Sequence, residues 1–83
     1  MKNIQKLRKK IDELDQKLIK VLEKRFELTK EIGEIKQEEG LGIKHENREN
    51  EVLEKISTTK TLKKSFTKKL FELIFQESRN RQK

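Results

Sequence analysis

The chain has 83 residues, with 22 Lys or Arg against 15 Asp or Glu, and a formal net charge of +7. It has no cysteine, which excludes disulfides and thiolate chemistry, and no apolar run approaches the roughly 20 residues that span a membrane. The opening Met1-Lys2-Asn3-Ile4-Gln5 lacks the apolar core of a signal peptide, so a cytoplasmic protein is the expectation.

The spacing predicts a first helix over about 3–38, with Asn3 an acceptable N-cap. Ile4, Leu7, Ile11, Leu14, Leu18, Val21, Leu28, Ile32 and Ile35 recur in steps of three and four, so they line one seam. Such a helix is on the order of 50 Å long, more than a small domain is wide, and needs a partner helix to cover it. The step from Val21 to Leu28 passes through Arg25 where an apolar residue belongs. A guanidinium on a packing seam is expensive unless something anionic meets it. Arg25 is therefore expected to face a buried ligand. Gly33, a helix-interior glycine costing about 1 kcal/mol relative to Ala, suits a place where a ligand or another helix comes close.

Glu39-Gly40-Leu41-Gly42 breaks the pattern and supplies a helix stop. A second helix is expected over about 44–56. Its late face is apolar (Val52, Leu53, Ile56), and the same face one and two turns earlier carries His45, Arg48 and Glu49. Unpaired N–H groups at a helix start also suit an anion. The polar connector Ser57-Thr58-Thr59-Lys60-Thr61 leads to a third helix over about 62–80. Phe66, Leu70, Leu73 and Ile74 read as its core face, widened by Phe71 and Phe75; continuing that row reaches Ser78 and then Gln82.

The fold class is thus all-α, one long helix and two shorter ones in a single domain. A chain this short buries only a small core, so association with a second copy is the natural remedy. The basic residues alternate with Glu, which favours helical ion pairs over a phosphate-binding stripe, and Tyr and Trp are absent as base-stacking platforms. Neither nucleic acid nor a membrane is an expected partner. One His and scattered Glu lack metal-ligand spacing, and no nucleophile–base pair is suggested. What remains is a cluster of cationic and neutral donors with one acid, Glu49. It suits a multiply charged anion and a unimolecular reaction that positioning and electrostatics can drive. Arg25 and Lys36 share a helix face about 16 Å apart, whereas Arg8 lies about 25 Å from Arg25. Arg8 cannot reach that pocket within its own chain; in an antiparallel dimer Arg8 of the second chain could, and otherwise it reads as a solvated charge beside the seam.

Leu7-Arg8-Lys9-Lys10-Ile11-Asp12-Glu13-Leu14-Asp15, Glu23-Lys24-Arg25, Ile32-Gly33-Glu34-Ile35-Lys36 and Asn47-Arg48-Glu49, in this order and running on to Ser78 and Gln82, resemble the all-helical (AroQ-type) chorismate mutases. The resemblance implies conversion of chorismate to prephenate without a cofactor, in phenylalanine and tyrosine biosynthesis, by an intertwined homodimer with two active sites. It implies that Arg25 and the partner subunit's Arg8 clamp two substrate carboxylates, for which a bidentate guanidinium is suited. Lys36 and Gln82 would bond the ether oxygen, and Glu49 would accept from the ring hydroxyl. Arg48 and Ser78 would support the pocket. His45 stands where the family commonly has Asp: the contact there comes through the backbone, or it differs from the family's, or His45 is a partly exposed helix-start residue with no role. A lyase of the same fold acting on isochorismate, and a non-catalytic helical dimerisation or nucleic-acid-binding module, are the competing readings; retention of Glu49 favours the mutase over the lyase.

Overall fold

A computed structural model describes residues 2–40, 46–57 and 61–82, and among them the secondary structure is wholly helical. The elements are α1 (Lys2–Glu39), α2 (Glu46–Ile56) and α3 (Lys64–Gln82). The all-α expectation holds, with one long helix and two shorter ones. α3 starts two residues later than the spacing suggests, within the usual scatter of helix ends.

α1 stops at Gly40, whose φ of 72° is the left-handed conformation that glycine adopts without a Cβ clash. Its N–H donates to the Gln37 carbonyl at 3.2 Å and closes the last turn. A helix of this length should rise about 57 Å, and the longest dimension of the molecule is 58 Å. The extent of the protein is therefore the extent of α1. α3 packs on α1, and α2 packs on α3; among the described residues no Cα of α2 comes within 8 Å of one in α1.

The core is small and belongs mainly to α3. Ile74 and Phe75 are 8% and 6% exposed, and the polar Thr67 and Ser78 are each 4% exposed on the same face. Thr67 is satisfied locally, its hydroxyl donating to the carbonyls of Lys63 (3.3 Å) and Lys64 (3.1 Å). Gly33 is buried on α1, consistent with a close approach there. One sequence expectation needs correcting. Phe66 and Leu73 are 54% and 66% exposed, so within one chain the packed face of α3 runs through Phe71, Ile74 and Phe75. α3 carries two apolar stripes, and its own chain covers only one.

The seam of α1 is also uncovered. Its residues range from 46% exposed at Ile32 to 63% at Val21, and every described residue of 3–21 is exposed. A continuous apolar strip of this length on a small chain marks an interaction surface. Among the described residues, no helix is long and apolar enough to cross a membrane.

Candidate active site

The second half of α1 meets the last turns of α3 and the first turn of α2 around a cavity of about 490 Å³. This lies within the usual range for a small-molecule site. From α1 the cavity takes Arg25, Leu28, Thr29, Ile32 and Lys36. α2 contributes Arg48, Glu49 and Val52, and α3 contributes Phe75 and Ser78. Among the described residues the walls are mostly apolar, with three cations and one acid lining the same space.

Helical periodicity explains why these side chains converge. Arg25, Leu28, Thr29, Ile32 and Lys36 follow steps of three and four, so they share one face of α1. Ser78 follows Phe71, Ile74 and Phe75 on the buried face of α3 by the same rule. Arg48 and Glu49 fall in the first turn of α2, at the end that opens toward the cavity.

Arg25 is half-buried, and its Nη1 donates to Ser78 Oγ at 3.3 Å. Its guanidinium carbon lies 6.0 Å from the Phe71 ring centre and 5.9 Å from that of Phe75. Those two rings are themselves tilted by 59° at 6.0 Å. Among the described residues no carboxylate comes within 4.0 Å of Arg25. Burial, and after it the charge of Arg48, lowers the Arg25 pKa from its ordinary value. The guanidinium has lost water and gained ring faces and one hydroxyl, which only partly replace it. This is a standing demand for an anion.

The neighbouring charges are otherwise engaged. Arg48 pairs with Glu51 at 3.6 Å along the exposed side of α2. Glu49 Oε2 accepts a hydrogen bond from Arg79 Nη1 of α3. The Thr29 hydroxyl donates to the Phe26 carbonyl at 3.0 Å. Beyond the cavity, Arg81 sets its guanidinium 4.5 Å above the Phe26 ring and donates through Nε to Glu77 at 2.9 Å. The contact with Phe26 joins the last turn of α3 to α1.

Of the residues named from sequence, Arg25, Lys36, Arg48, Glu49 and Ser78 are brought together around one cavity. Arg8 is exposed on the bare half of α1 and is not brought there by its own chain. His45 lies outside the described residues, as does the side chain of Gln82, whose backbone ends α3. The sequence reading missed Thr29 and Phe75 as cavity walls and missed Arg79 altogether. Arg79 follows Phe75 by one helical turn and complements the charge of Glu49, the one signal that pointed to it. No group of three or more His, Cys, Asp or Glu among the described residues could hold a metal ion.

Fold and cavity together describe an all-helical protein whose small-molecule-sized cavity is lined by Arg25, Lys36, Arg48 and Glu49 among the described residues. Residues 7–83 match the family model for chorismate mutase type II, and the chain belongs to that family. It is 43% identical over 56 residues to a bifunctional chorismate mutase/prephenate dehydratase of Aquifex aeolicus, a match covering 68% of this chain and 16% of that protein. The chain thus spans only a small part of that relative's length. It is 28% identical to a chorismate mutase of Methanocaldococcus jannaschii over an alignment of 86 residues, covering 100% of this chain and 87% of that one. The solved structure of a conserved hypothetical protein from Pyrococcus furiosus superposes with a TM-score of 0.84 at 34% identity, covering 100% of this chain and 99% of the other.

Proposed function

We propose that this chain catalyses the cofactor-free rearrangement of chorismate to prephenate, in the cytoplasm and as a step toward phenylalanine and tyrosine. The observation that carries the reading is Arg25, a partly desolvated cation beside a small-molecule-sized cavity, with no carboxylate near it among the described residues.

Chorismate carries two carboxylates, a ring hydroxyl and an ether oxygen. The reaction breaks the ether C–O bond while a C–C bond forms within the same molecule, so no proton, electron or group enters or leaves. The protein has only to hold the reactive conformer and stabilise the charge that gathers on the ether oxygen. In this reading Arg25 binds one carboxylate, with Ser78 keeping the guanidinium aimed into the cavity. The partner subunit's Arg8 binds the other. Lys36 and Gln82 donate to the ether oxygen, and these are the contacts that strengthen toward the transition state. Glu49 accepts from the ring hydroxyl. Arg48, beside Glu49, adds positive potential, and His45 belongs to the same end of the site.

The second chain is required on two grounds. The seam of α1 is bare, and Arg8 is about 25 Å from Arg25 along the helix. Pairing two α1 helices antiparallel about Gln16 solves both. Ile4 then faces Leu28, Ile11 faces Val21 and Leu14 faces Leu18. The same register sets Leu7, and Arg8 beside it, against the partner's Arg25.

The test is direct. Purified protein is incubated with chorismate, substrate loss is followed and the product identified, with Arg25→Ala as control. Prephenate formed well above the control is the expected result. Wild-type protein no faster than Arg25→Ala would overturn the reading, and release of pyruvate would indicate a lyase.

A further inference from the structure

Among the described residues α2 carries two of the four charged side chains of the cavity, yet none of its Cα atoms comes within 8 Å of one in α1, which carries the other two. Its placement across the cavity is transmitted through α3. The apolar part of that contact is modest. Val52, Leu53 and Ile56 are only partly buried. A gap of about 250 Å³, lined by Leu53, Ile56, Thr67 and neighbouring residues, lies at the far end of the α2–α3 contact. At the cavity end the two helices are joined by the charged hydrogen bond from Arg79 to Glu49, thirty residues apart in sequence. The Glu49 side chain is 19% exposed and that of Arg79 36%, so the pair is partly withdrawn from water. Arg79 does not line the cavity itself.

We propose that Arg79 is a positioning residue: by holding Glu49 it docks the first turn of α2 on α3 and sets where Glu49 and Arg48 meet the substrate. The proposal rests on the mutase reading above for what the site binds, but the tie itself does not depend on it. A carboxylate offers about four acceptor directions, so one guanidinium can fix its rotamer and leave capacity for a substrate hydroxyl. Arg79 has a second effect. Among the described residues Glu49 is the one acid lining a cavity that also holds Arg25, Lys36 and Arg48. Without an outside partner, its flexible side chain would fold onto those cations and occupy the place of the substrate anion. Arg79 keeps the acid at the wall.

The experiment compares wild type, Arg79→Met, Arg79→Lys, Glu49→Gln and the double variant Glu49→Gln/Arg79→Met. Chorismate turnover and chemical denaturation are measured on each. Arg79→Met is expected to lower kcat/KM on the order of tenfold with helical content retained, and Arg79→Lys to recover most of the loss. On the Glu49→Gln background Arg79→Met adds a smaller loss, because the carboxylate it holds is gone and the amide oxygen left is a weaker acceptor. Equal losses on both backgrounds, or an Arg79→Met enzyme as active as wild type, would overturn the proposal. Denaturation provides a readout independent of turnover. Coupling between positions 49 and 79 supports the tie even if the wild type fails to turn over chorismate, an outcome that would instead sink the mutase reading. Absence of coupling overturns the tie however active the enzyme is.

Discussion

Arg25 of α1 donates to Ser78 of α3 at 3.3 Å, between the faces of Phe71 and Phe75 and with no carboxylate within reach among the described residues. A cation placed this way, its lost hydration only partly replaced by a hydroxyl and two ring faces, is a cost to the fold. Replacing it with a neutral side chain of similar length should therefore separate activity from stability. Arg25→Met is expected to lose on the order of a thousandfold in kcat/KM while its melting temperature holds or rises. Paired kinetics and calorimetry check this; a melting temperature that collapses with activity would make Arg25 a structural residue.

The same cation should make the protein sensitive to small dianions. Binding to the native state alone raises the melting temperature with ligand concentration, by about 2.7 kcal/mol of added stability at a hundred times the dissociation constant. Malate or a similar dicarboxylate should stabilise the wild type in a thermal-shift titration, and Arg25→Met should lose most of that response. Equal shifts in the two proteins would place anion binding elsewhere.

If each site takes Arg25 from one chain and Arg8 from the other, then Arg8→Ala and Arg25→Ala are each nearly inactive alone. Mixed and allowed to exchange, they form heterodimers with one intact site and one doubly damaged site. Random pairing then restores about a quarter of wild-type activity. A site built wholly within one chain gives no recovery on mixing, and the assay separates the two arrangements without a structure.

The bare seam makes its own prediction. Leu14 and Leu18 are 61% and 54% exposed in one chain, so a lone chain tolerates charge there. Leu14→Lys and Leu18→Lys should instead abolish activity and halve the mass seen by light scattering, with loss of helical signal from the first half of α1. Variants that keep their mass and turnover would exclude this face as the contact.

Much of the site was legible in the sequence because helices make it so. A seam with one wrong residue singled out Arg25, and a row begun at Phe71 led to buried Ser78. Contacts between helices were harder to read. Arg79 meets Glu49 across thirty residues, and no local spacing encodes that distance. The burial of α3 was misjudged for a related reason: Phe66 and Leu73 are as apolar as Phe71 and Ile74, and hydrophobicity alone does not say whether a stripe packs on its own chain or another. Gly40 was the opposite case, since glycine after a long periodic run marks a helix stop by its backbone freedom alone.

The projecting half of α1 bears on how the protein comes to be folded at all. Most helical stability in proteins comes from packing of an apolar face, and residues 3–21 are all exposed in their own chain. If the proposed second chain covers them, renaturation is expected to follow second-order kinetics. In that dimer, specific activity in turn should decline when the protein is diluted far enough for the rods to come apart.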